Sequence, residues 1–93
     1  GRAGYAAFAP TKAAQRILAQ SIAREAGPKG VHVAYITIDA VIDLRWTRKR
    51  YHDKPDDFFI KPEEIADEVF HVANQSKGAW SFDVEIRPHA ENW

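Results

Sequence analysis

The run Val31-His32-Val33-Ala34-Tyr35-Ile36-Thr37-Ile38 constrains this chain more than any other stretch. It is short, rich in β-branched residues, and apolar at nearly every position rather than at every second one. Such a segment reads as a strand buried on both faces, the signature of a parallel sheet with helices above and below it. A strand of this kind also needs a neighbour on each edge, because unpaired backbone groups beside apolar side chains invite association. The rest of the chain must therefore supply at least one more strand and a crossover to reach it.

Both are legible. From Lys12 to Ala26, the residues Ala14, Ile17, Leu18, Ser21, Ile22 and Glu25 follow the i, i+3, i+4, i+7 rhythm of a helix, and Ala13, Ala19 and Ala23 raise its propensity. Pro10 suits the first turn, where a missing N–H costs nothing. Gly27-Pro28 is expected to stop the helix, with Gly27 as a left-handed cap and Pro28 as a block. After the strand, residues 39–61 are mixed and charged, and a short helical turn is expected around 43–51. Lys61-Pro62-Glu63-Glu64 opens a second helix, with acids at its positive dipole end. Ile65, Val69, Val72 and Ala73 give that helix an apolar face to about Gln75, widened by Phe70, with His71 at the edge of the stripe. Gly78 turns the chain, and Phe82, Val84 and Ile86 alternate with Asp83, Glu85 and Arg87 as a strand with one wetter face, ended by Pro88.

The order is helix, strand, helix, strand, with no internal repeat. The two strands and the helix between them form a β-α-β unit, expected to be parallel with a right-handed crossover. Two parallel strands do not make a stable sheet. More sheet is expected, from upstream residues of a longer parent chain or from a second copy. The fold class is α/β, and residues 1–93 read as a single α/β segment of an incomplete domain.

Composition narrows the function. A chain of 93 residues fits one small domain and buries roughly 60–65% of its unfolded surface. Its 13 basic and 13 acidic residues cancel, which argues against a general nucleic-acid or membrane-surface binder. Cysteine is absent, excluding disulfides, thiolate metal sites and Cys nucleophiles. No apolar run approaches the roughly 18 residues of a membrane span, and the N-terminus has no signal-peptide pattern. A cytoplasmic location fits. Methionine is also absent, so Gly1 reads as a processed or artificial start, or as the residue left by removal of an initiator.

Two stretches carry a family resemblance: Gly4-Tyr5-Ala6-Ala7-Phe8-Ala9-Pro10-Thr11-Lys12-Ala13-Ala14, and Ala23-Arg24-Glu25-Ala26-Gly27-Pro28-Lys29-Gly30-Val31-His32-Val33 at the helix end. Together with Pro62-Glu63-Glu64-Ile65-Ala66, they resemble the C-terminal half of a short-chain dehydrogenase/reductase. In that family a Tyr-x-x-x-Lys motif opens a long helix that ends in Ala-Arg-Glu-x-Gly-Pro-x-Gly and runs into a parallel strand. The resemblance implies the C-terminal part of a doubly wound Rossmann-like sheet. It also implies NAD or NADP as cofactor of the full-length parent, a small-molecule carbonyl or alcohol substrate, and a homo-oligomer. It makes Lys12 the catalytic lysine and a cofactor-ribose contact, with Ile38 and Val41 as further cofactor contacts. Tyr5, Phe8 and Asp39 are the implied substrate pocket.

The departures matter as much. Four residues before Lys12 stands Phe8, which has no titratable proton, and Tyr5 is seven before it. The glycine-rich phosphate loop has no counterpart, since Gly1-Arg2-Ala3-Gly4 follows no strand. Ile38-Asp39 stands where the family commonly has Pro-Gly. Each residue also has a plainer reading: Lys12 as a solvated lysine, Phe8 as core, Tyr5 as a loop residue, Asp39 as a cap of a following turn. Arg45-Trp46-Thr47-Arg48-Lys49-Arg50-Tyr51-His52 mixes base and aromatic as a phosphate or nucleic-acid surface would. It reads equally as a solvated helix face, offset by Asp53, Asp56 and Asp57. His52 and those acids do not make a metal site, because Pro55 breaks any i, i+4 geometry. The expectation is thus part of an NAD(P)-dependent oxidoreductase, inactive by itself, or else a non-catalytic binding or oligomerisation module derived from that fold.

Overall fold

The computed structural model describes residues 3–90, so Gly1 and Arg2 of the glycine-containing start lie outside the described residues. Helix α1 spans Phe8–Ala26, strand β1 Tyr35–Ile38, strand β2 Val41–Ile42 and helix α2 Arg45–Arg50. Strand β3 follows at Phe59–Ile60, helix α3 at Pro62–Ala73 and strand β4 at Asp83–Ile86. The expected β-α-β unit is present. β1 and β4 pair in parallel, with Tyr35 opposite Asp83 and Ile38 opposite Ile86. The crossover between them holds a second parallel pair, β2 with β3, which places Val41 opposite Phe59 and Ile42 opposite Ile60. Strands of two residues are too short to show a period, and this small sheet was not expected from the sequence.

Helix α1 begins four residues ahead of the periodic stretch, at Phe8, so Pro10 does sit in its first turn. Its end differs from expectation. Gly27 is right-handed, with φ −53°, and the chain tightens into a single 3-10 turn over Gly27–Lys29. Pro28 promotes this, because its fixed φ suits the opening of a helical turn. The left-handed residue is Gly30, at φ +86°. Its N–H donates to the Gly27 carbonyl at 2.9 Å, and the Val31 N–H to the Ala26 carbonyl at 3.2 Å. That pair of bonds is a Schellman closure displaced one short turn along the chain.

The core is small and off-centre. Among the described residues the buried apolar side chains are Phe59, Ile60 and Val72, from β3 and α3. The strand expected to be buried on both faces is half-buried along Tyr35–Ile38, and Val31 is 51% exposed. The cause is the pairing: β1 has β4 on one edge and no strand on the other among the described residues. On α3 the buried side is narrower than the apolar pattern. Val72 is buried, whereas Phe70 is exposed, as is His71, 4.0 Å from Glu68. The radius of gyration is 15.7 Å, against about 12 Å for a compact domain of this length, so the elements do not close around one centre. None of the described helices is long and apolar enough to cross a membrane.

Polar contacts also tie the crossover together. The Thr47 hydroxyl is buried, accepts the Leu44 N–H at 2.8 Å and donates to the Ile42 carbonyl, so one side chain ties the start of α2 to the end of β2. Arg48 donates to Asp43 through Nε at 2.6 Å and Nη2 at 2.9 Å, and to Asp56 at 2.6 Å. Its guanidinium lies over the Phe59 ring at 4.1 Å, a favourable cation–π placement. Lys61 also reaches Asp56, at 3.4 Å. The hydrogen bonds from Arg48 hold the Asp43 carboxyl below its ordinary value. Those from Arg48 and then Lys61 do the same to Asp56, and both acids in turn raise the guanidinium.

Two outcomes are expected. Thr47→Val leaves the Leu44 N–H without its partner and should lower unfolding stability by about 1–3 kcal/mol, read by chemical denaturation. Carboxyls whose folded value is depressed stabilise the fold above their unfolded value of about 3.9, and that gain is lost as pH falls through the folded value. Arg48→Met should therefore lower the melting temperature at pH 7, and the two melting curves should converge below about pH 4.

Candidate functional site

An open groove of about 880 Å³ runs between the N-terminal half of α1 and strand β1. Tyr5, Phe8 and Lys12 line it from one side, Ile38 and Asp39 from the other, so five of the six residues singled out in the sequence meet in one place. Val41 does not join them: it lies in β2, paired with Phe59.

Local structure explains the meeting. Phe8 and Lys12 are one helical turn apart and share a face of α1; the Lys12 ammonium lies 5.5 Å from the Phe8 ring centroid. Tyr5 precedes the helix and meets Phe8 edge-on, with centroids 5.8 Å apart. Phe8 is 56% exposed, so it is a groove wall and not core. Asp39 follows the last residue of β1, at the carboxyl end of a parallel strand, where open α/β sheets place their ligands. No helix begins there for it to cap, and its backbone N–H is spent on the Ile86 carbonyl at 3.0 Å. Alternate residues of a parallel strand turn their amides to one neighbour. Tyr35 and Asp39 turn theirs to β4, which leaves the Ile38 backbone facing the groove.

The polar groove residues Gln15, Tyr35 and Thr37 were not foreseen. Gln15 continues the Phe8–Lys12 face by one turn. Tyr35 and Thr37 alternate along β1, a period hidden by the apolarity of the whole strand. The Tyr35 hydroxyl donates to the Lys12 backbone carbonyl at 3.3 Å, holding the helix against the strand. A second clamp sits one turn further on, where Arg16 Nε and Nη2 donate to one Asp83 carboxylate oxygen at 3.1 and 2.7 Å. Lys12 has no carboxylate partner among the described residues, so its charge is available to a ligand.

Outside the groove, the acids beside α2 are committed elsewhere. Asp56 binds Arg48 and Lys61, and Asp57 lies 3.6 Å from His89. No group of three or more His, Asp or Glu side chains able to hold a metal ion occurs among the described residues. A second, smaller hollow of about 220 Å³ lies at the other end of the β1–β4 pair, beside the stacked rings of His32 and Trp80.

No protein-family model matches the chain, nor does any curated protein. A solved structure does: a short-chain dehydrogenase from Rhodopseudomonas palustris, with 37% sequence identity and a TM-score of 0.69, over 96% of this chain and 32% of that one. This chain carries the C-terminal part of the short-chain dehydrogenase fold. It spans about a third of the length of the dehydrogenase it matches. The helix and strand order with its parallel strands thus matches the C-terminal part of a Rossmann-like fold.

The clamps give a test. Arg16 and Asp83 are both part-exposed, at 38% and 46%, so Arg16→Ala should cost less than about 1 kcal/mol of global stability. It should nonetheless raise amide hydrogen exchange across the first half of α1 selectively, as mass spectrometry would read.

Proposed function

We propose that this chain is part of an NAD(P)-dependent oxidoreductase that moves a hydride between the nicotinamide and a carbonyl or alcohol. The convergence of Lys12, Phe8, Tyr5 and Asp39 at the carboxyl end of β1 carries this reading. The residues present fit one end of such a cofactor. An ammonium without a carboxylate partner suits ribose hydroxyls, and the groove-facing Ile38 backbone suits a carboxamide. They do not fit the pyrophosphate, which needs a glycine-rich turn between a strand and a helix. Gly4 has the left-handed φ of such a turn, +84°, but no described strand precedes it. When bound, the nicotinamide supplies or accepts the hydride.

The chain's own residues bind and orient. Lys12 is the candidate catalytic residue: its charge would hold the ribose and favour a developing oxyanion nearby. Phe8 would close one side of the substrate pocket and exclude water, but it has no proton to give. Tyr5, against the Phe8 ring, is the phenol placed to exchange the substrate oxygen's proton. Asp39 would be the polar group at the far wall, setting which substrates enter.

In the full-length parent, Phe8→Tyr places a phenol beside the Lys12 ammonium, which lowers its pKa. Carbonyl reduction should rise, within the 10²–10⁴-fold range of general acid–base catalysis, and Lys12→Ala should abolish the gain. An unchanged rate with cofactor still bound would assign the proton to Tyr5. The 93-residue chain by itself should show no saturable NADH or NADPH binding at micromolar concentration by calorimetry, and one tight site per chain would overturn the reading that these residues do not fit the pyrophosphate.

A further inference from the structure

The hollow of about 220 Å³ at the other end of the β1–β4 pair has the make-up of a binding site that the proposed reaction does not use. Its walls come from three segments of this chain: the last turns of α1, the approach to β1 and the approach to β4. Val31, Val33, Trp80 and Phe82 supply apolar and aromatic surface, and Gln20 and Arg24, one helical turn apart, supply the polar side. Neither of those two side chains has a hydrogen-bond or ion-pair partner among the described residues. The Lys77 ammonium stands close by, 3.7 Å from where a side-chain carbon at Gly30 would lie, one residue before Val31. It too has no carboxylate partner among the described residues. The acid next to Phe82, Asp83, is already held by Arg16. The aromatic wall is set in advance. His32 Nε2 lies 2.8 Å from the Ser81 carbonyl oxygen, which can only accept, so that nitrogen carries the hydrogen. The bond fixes the imidazole, and the imidazole stacks on Trp80 with centroids 4.7 Å apart and planes 3° from parallel. Ser81 is fixed in turn by Gln75, which accepts its N–H and donates to its hydroxyl, both at 2.9 Å. A wall held this way spares a ligand the cost of ordering side chains on binding.

We propose that this hollow binds a small planar carboxylate, one aromatic ring bearing one carboxylate group, with the Arg24 guanidinium as its anchor and the Gln20 amide as a second donor. Charge selects the head, because Arg24 and Lys77 are cations without an acid to answer them, and a guanidinium matches a carboxylate with two parallel hydrogen bonds. Surface selects the body, because flat rings and two valines line the space. Size limits it to one ring, since sites for drug-sized ligands start at roughly 300 Å³. A phosphate fits less well. It is held by converging backbone N–H groups, and the Ser81 N–H is spent on Gln75. Trp80, Ser81 and Phe82 put the site towards β4, away from the open edge of β1. It shares no residue with the groove, so it leaves the space for cofactor and substrate free and does not depend on the oxidoreductase reading.

Benzoate is the probe, titrated into the 93-residue chain and followed by heteronuclear NMR. It should shift the Trp80 indole N–H and the amides of Ala23, Arg24 and Val33 together and saturably, with a Kd of about 1 mM, as suits so small a ligand. Benzamide keeps the ring and shape but not the charge, and should bind about tenfold or more weakly. That comparison needs no variant, so it stands whatever a substitution does to folding. Arg24 is exposed, and Arg24→Gln should weaken benzoate about tenfold or more. Arg45→Gln, at an exposed arginine of α2, should leave benzoate binding unchanged. The absence of a saturable shift at Trp80 up to about 10 mM benzoate would overturn the proposal. Equal binding of benzamide would also overturn it, because the carboxylate would then have no anchor. So would an equal loss with Arg45→Gln, because benzoate would then be answering basic surface in general.

Discussion

The parallel pairing of β1 with β4 is the constraint on which the rest of the chain hangs. Two parallel strands cannot be joined by a tight turn, so everything between Asp39 and Phe82 has to serve as crossover. That crossover brings its own small sheet and α3, and these hold the buried apolar side chains Phe59, Ile60 and Val72. The pairing also fixes which backbone groups of β1 are spent. The Tyr35 and Asp39 amides go to β4, and the intervening ones face the groove. Alternation along four residues thereby decides where a ligand or a second strand meets the chain.

Apolar burial is weak here, and polar contacts take over its positioning role. Arg48 draws Asp43, Asp56 and the Phe59 ring to one guanidinium, and Thr47 ties α2 to β2 through a buried hydroxyl. Across the groove, Arg16–Asp83 and Tyr35–Lys12 do the same for α1. Each such contact contributes little net stability, since water competes for it. Their value is directional: they set the helix at a defined height above β1, which is what places Lys12 and Phe8 opposite Asp39.

Under the proposed function, the groove keeps the geometry of a reaction site while changing its chemistry. In the proposed reading Lys12, near the start of α1, takes the part of the family's motif lysine, and its neighbour one turn back is Phe8. The aromatic wall survives that change, because a ring packs as well without its hydroxyl as with it. A phenylalanine carries no proton to give, and Tyr5 is a phenol in edge-on contact with the same wall.

The sequence by itself determined the long elements and the parallel β-α-β order. Helices such as α1 and α3 repeat their apolar pattern over several turns, and the β-branched run 31–38 contains a strand, though only Tyr35–Ile38 pairs and 31–34 do not. The family resemblance grouped Tyr5, Phe8, Lys12, Ile38, Asp39 and Val41; all but Val41 line one groove, where the start of α1 lies beside the end of β1. Only the tertiary structure decided the rest. The β2–β3 pair, too short for any period, exists because Arg48 and Thr47 fold the charged stretch back on itself. The left-handed glycine fell at Gly30 because Pro28 continues a helical turn as readily as it blocks one. Burial was decided last. An apolar residue records only that it prefers to leave water, and whether Ile36, Leu18 or Phe70 does so depends on which surfaces other parts of the fold bring against it.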